Sequence, residues 1–125
     1  MSEEPLLPSE FESRKILESK LNELDELWSS YVGRVRQVMD EWEKVKVKLL
    51  ERISKVNSLL KAVNEDLEKI NVEIMLGLAS EDEKKDEKNK LENMKIKLES
   101  RLKALQEFLE AIESRIIVHG ERLAT

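Results

Sequence analysis

Apolar residues recur along this chain in steps of three and four from Leu17 almost to its end. The first run is Leu17, Leu21, Leu24, Trp28, Tyr31, Val35, Val38, Trp42, Val45, Leu49, Ile53, Val56, Leu60, Val63, Leu67, Ile70 and Ile74. Alternating steps of this kind keep one stripe of a helix facing a partner along a left-handed supercoil. Val45-Leu49-Ile53 takes two steps of four in succession, which predicts a stutter that locally unwinds the supercoil. A second run follows: Leu91, Met94, Leu98, Leu102, Leu105, Leu109, Ile112, Ile116, His119 and Leu123, with a like stutter at Met94-Leu98-Leu102. Leu27, Val32, Met39, Leu59 and Phe108 flank these stripes and widen them beyond a two-stranded seam, towards a bundle of three or four helices.

Stop and start signals divide the pattern. Residues 1–8 carry both prolines, Pro5 and Pro8, and read as a disordered tail. Ser9 and Glu12 have the Ser-x-x-Glu spacing of a capping box, so a first helix is predicted over 9–76. Gly77 can take the left-handed conformation that ends helices, which places a turn at 77–80. Ser80 and Glu83 form a second capping box, with acids in the first turn where the helix dipole favours them. The return helix is predicted over 81–119, its polar first turns prone to fraying. Gly120 stands as its cap, and 120–125 as a tail.

The expected fold is therefore all-α: a long antiparallel helical hairpin or coiled coil, assembling into a multi-helix bundle. A turn this short makes the helices antiparallel, with residue i facing roughly 157 − i. His119 then lies opposite Val38, and the return helix covers only about Val38 to Leu76. An apolar strip of Leu17, Leu21, Leu24, Trp28, Tyr31 and Val35 is left without cover, more than a monomer ordinarily exposes. Either the first helix breaks near 29–33 and folds back as a three-helix bundle, or it continues and the strip pairs with another chain. The unbroken spacing through Trp28, Tyr31 and Val35 favours continuity. Gly33 falls on the outer face, where it costs a helix only ~1 kcal/mol.

Composition narrows the function classes. Ala, Glu, Lys, Leu and Arg make up 68 of 125 residues, the signature of long helices where the period agrees. Without cysteine, thiolate catalysis, disulfides and Cys-based zinc sites are excluded. His119 is the one histidine and sits near a helix end, where the dipole favours it; a metal needs more ligands than it supplies. The acidic residues scatter over outer faces, with no enclosed pocket expected to tune a catalytic pair. No enzyme activity, cofactor or metal is predicted.

Charge adds one more feature. Residues 1–30 hold eight acidic and three basic groups, and residues 31–60 hold four and seven. Arg34, Arg36, Lys44, Lys46, Lys48, Arg52 and Lys55 form this basic stretch. It suits an acidic segment of a second chain, or alternatively an anionic membrane surface, which would make the protein a peripheral or filament-forming hairpin. Net charge of −5 argues against nucleic acid. The preferred expectation is a non-catalytic structural or adaptor protein that pairs with itself, most simply as a homodimer, or with another coiled-coil protein. With no membrane-length apolar run and no leader-like N-terminus, a cytoplasmic or nuclear location is expected.

Overall fold

A computed structural model describes residues 5–125. It contains two helices, α1 (Pro8–Met75) and α2 (Glu81–Ala124), packed against each other as an antiparallel hairpin. The fold-back alternative is not adopted: α1 runs unbroken through Ser29–Gly33. At 68 residues it is roughly 100 Å long, and α2, at 44 residues, roughly 66 Å.

The boundaries differ from the sequence expectation at both outer ends. The tail expected over 1–8 is helical from Pro8, and Met1–Glu4 lie outside the described residues. Pro8 suits a first helical position because its missing N–H would have no partner there. The helix start is fixed by Glu10, whose Oε1 accepts from the Leu7 backbone N–H at 2.9 Å, two residues earlier than the box expected at Ser9 and Glu12. Ser9 instead lies inside the helix, its carbonyl accepting from the Ser13 hydroxyl at 3.0 Å. At the other end Gly120 does not cap α2. The helix continues to Ala124, since a Gly inside a helix costs only ~1 kcal/mol and Leu123 extends the packed stripe by one more step.

The turn follows its residues closely. Gly77 has φ of +73°, which side chains other than glycine adopt only with strain. The Leu78 N–H reaches the Glu73 carbonyl at 2.8 Å and the Gly77 N–H the Ile74 carbonyl at 3.1 Å, a Schellman ending. Ser80 Oγ then accepts from the Glu83 N–H at 3.2 Å and opens α2. The polar first turns of α2 are helical and tied back to α1, with Lys84 Nζ at 3.4 Å from Glu73.

Burial shows that neither stutter exists. On α1 the buried side chains are Val35, Trp42, Leu49, Val56, Val63 and Ile70, a strict heptad. The half-buried positions between them are Val32, Lys46, Ile53, Leu60, Leu67 and Ile74, with Met39 in the same register. On α2 the half-buried stripe includes Lys84, Lys88, Leu91, Lys95, Leu98, Leu102, Leu105, Leu109, Ile112, Ile116, His119 and Leu123, again in unbroken steps of three and four. Lys46 and Lys95 hold the positions that an apolar reading assigns to Val45 and Met94, which are exposed. A lysine can lie along such a seam on its methylene stem while its ammonium reaches water. Across the seam Tyr31 pairs with His119, Trp42 with Glu113 and Glu73 with Lys84, so residue i of α1 lies level with roughly 150–157 − i of α2. His119 bonds to Tyr31 and lines the same groove as Val35 and Val38.

Candidate functional site

Because α2 reaches only to the level of Tyr31, the first turns of α1 stand clear of it. Residues 8–30 form an overhang roughly 35 Å long. Leu17, Leu21, Leu24 and Trp28 are all half or more exposed there, Leu24 at 59%. Phe11, Ile16 and Leu27 add to the uncovered apolar surface. Two residues of the strip belong partly to the hairpin instead: Val35 is buried beneath α2, and Tyr31 is half-buried. The Tyr31 hydroxyl shares a hydrogen bond of 2.6 Å with His119 Nδ1, and Trp28 packs on Tyr31 with ring centres 5.7 Å apart. His119 therefore sits at the mouth of the hairpin as a packing and hydrogen-bonding residue.

The strip continues past the overhang. Val38 and Val45 share the heptad stripe of Leu17, Leu24 and Tyr31, and they are 51% and 40% exposed. This extension escaped the sequence reading, which placed both valines in the hairpin seam. The seven-residue spacing itself, read separately from the a-type stripe, was the signal that could have found it. Beside Val38 a groove of about 220 Å³ opens between the helices, lined by Tyr31, Arg34, Val35, Ile116 and His119 among others. Phe108, stacked on Trp42 at 6.2 Å and half exposed, continues the apolar surface of α2.

On the hairpin's other flank lies a further polar contact between the helices. Glu113 accepts from the Trp42 indole N–H and from Lys46 Nζ, the latter at 2.9 Å. The Lys46 hydrogen bond first, and the Trp42 one second, hold the Glu113 carboxyl below its ordinary value near 4.5. The same bond raises the Lys46 ammonium above 10.5. Glu73 and Glu87 raise Lys84 in the same way, chiefly through their charge.

The basic stretch is not a single patch. At heptad spacing Arg34, Lys48 and Lys55 fall on one flank of α1 with Arg52 beside them, while Arg36 and Lys46 fall on the opposite flank. Lys44 lies further round the outer face, and Lys46 is engaged by Glu113. Lys48, Arg52 and Lys55 adjoin one another with Glu51 among them. Among the described residues no helix is long and apolar enough to cross a membrane. Comparison with protein-family profiles, curated proteins and solved structures finds no match.

Proposed function

We propose that this chain is a non-catalytic coiled-coil assembly protein that associates with itself or with another coiled-coil protein through the first half of α1. The observation that supports this most is the strip from Leu17 to Trp28, ordered on a continuous helix yet uncovered by its own hairpin. The hairpin exposes 10,595 Å², whereas a compact monomer of 14.6 kDa exposes about 6,900 Å². That surplus exceeds the ~1,200–2,000 Å² that a stable protein interface buries in total.

Sedimentation equilibrium of the wild-type chain and of Leu24→Asp tests the reading. A mass above 14.6 kDa that falls to the monomer value in the variant is expected. An assembled wild-type mass that Leu24→Asp leaves unchanged would remove the strip from the interface.

A further inference from the structure

We infer that the occupant of the strip is a second copy of this chain, lying antiparallel about a two-fold axis near Tyr31, so that each overhang becomes the third helix of the other copy's hairpin. The inference rests on the assembly reading above and specifies its partner and geometry.

The first support is the symmetry of one heptad stripe. In order it reads Glu10, Leu17, Leu24, Tyr31, Val38, Val45 and Arg52. Reversed about Tyr31, leucine meets valine at each apolar level: Leu17 with the partner's Val45, and Leu24 with the partner's Val38. At both ends of the apolar run an acid meets a base, Glu10 with the partner's Arg52. A parallel, in-register pair would instead set Glu10 on the partner's Glu10 and Arg52 on the partner's Arg52. The same contrast holds at the scale of whole segments. Residues 1–30 have eight acids to three bases and residues 31–60 four to seven, and only the antiparallel overlap brings the two segments together.

The second support is the geometry of the hairpin. Val35 and Trp42 sit at the centre of the packed face of α1. Met39 and Lys46 flank this line towards α2, and Val38 and Val45 flank it on the other side. Three helices around one core need such a pair of flanks on each member. Here one flank is filled and the other is exposed. On the overhang Leu24, Leu27 and Trp28 give an apolar face wide enough to touch two helices, and Phe108 of α2 is half exposed. A two-fold axis at Tyr31 lays residues 8–30 along the partner's residues 32–54. Each α2 runs beside residues of its own α1 beyond Tyr31, so the two copies of α2 keep to separate halves of the assembly.

The chain contains no cysteine, so introduced ones report cleanly. Lys20 and Glu41 fall on the flank facing the second copy, and antiparallel pairing about Tyr31 brings them level. Full-length Lys20→Cys and Glu41→Cys variants would each be checked for wild-type mass by sedimentation, then treated with a short bis-maleimide singly and as an equimolar mixture. Covalent dimer in the mixture, with none above background in either variant alone, is the expected result. Cross-linking within each single variant, with no additional product in the mixture, would overturn the antiparallel geometry while leaving assembly through the strip intact. A wild-type chain sedimenting as a monomer at micromolar concentration would overturn self-pairing itself.

Discussion

Replacing Leu24 by aspartate separates the assembly surface from the hairpin core. In the single chain Leu24 is 59% exposed and stands beyond the reach of α2. The hairpin should therefore lose little more than the ~0.5 kcal/mol difference in helix propensity. In the proposed assembly the same position is enclosed. Covering the exposed part of a leucine contributes about 1–2 kcal/mol, as a share of the 1.5–3 for full burial. Enclosing an unpaired carboxylate there costs several kcal/mol more. Symmetry applies the change twice, so a total of at least ~6 kcal/mol, or about four decades in dissociation constant, is expected. Leu105→Ala is the matched control. Leu105 is half-buried between α1 and α2, so truncation should cost nearer the lower end of the ~2–5 kcal/mol range for core leucines. It should lower the melting temperature and leave the mass unchanged. Circular dichroism melts and sedimentation equilibrium at one micromolar-range concentration read both effects. If Leu105→Ala dissociated the assembly and Leu24→Asp did not, the division of α1 into a hairpin half and an assembly half would be wrong.

Other changes test the hairpin itself. Glu113→Gln should flatten the acid limb of stability measured by thermal melts. The Glu113 carboxyl titrates below its ordinary 4.5 when folded, so its contribution is present above that pH and fades as pH falls through the lower folded value. Lys46 titrates above 10.5, so its share persists below that pH and is lost only in stronger alkali, a limb the same variant should also flatten. Gly33→Ala should stabilise the chain by about 0.5–1 kcal/mol in denaturant titrations, because the added methyl meets nothing within 4 Å and α1 is continuous there; destabilisation would argue for a bend at that point. Gly77→Ala should do the reverse by about 1–2 kcal/mol, since its φ of +73° strains any side chain. Tyr31→Phe should cost about 0.5–1.5 kcal/mol by removing the hydrogen bond to His119.

Much of the architecture was legible because each deciding signal was local. The position of Gly77, the cap at Ser80 and the absence of proline between Leu17 and Ile74 pointed to two helices and one turn, with only the stretch around Gly33 left open. The ends of the helices were less legible, because they depend on competition between weak effects. Glu10 bonding to the Leu7 amide and Pro8 at the first position outweigh a Ser-Glu box two residues later. Leu123 on the packed stripe outweighs the cost of carrying Gly120 inside a helix. The Glu113 contact with Trp42 and Lys46 could not be read from the chain, since it joins residues some seventy positions apart and depends on the register between helices.

The least legible feature was also the one on which the proposed assembly turns. A search for apolar residues at alternating steps prefers Val45 to Lys46 and Met94 to Lys95, and it must then invent a stutter in each helix to keep the stripe apolar. The hairpin keeps the heptad and accepts the lysines, because an aliphatic stem fills the seam as well as a valine does and Glu113 meets the Lys46 ammonium at its edge. Once Lys46 faces α2, Val45 and Val38 turn outward onto the stripe of Leu17 and Leu24. Substitution at these positions should divide the two roles of α1. Val38→Asp should weaken assembly as Leu24→Asp does, while leaving the melting of the separated hairpin close to wild type, although Val38 lies alongside α2. A hairpin that unfolded on this change would place Val38 in the seam where the apolar pattern first puts it. Retained folding with lost mass would show that the charged side chain in the seam is what leaves the valine stripe free for a second helix.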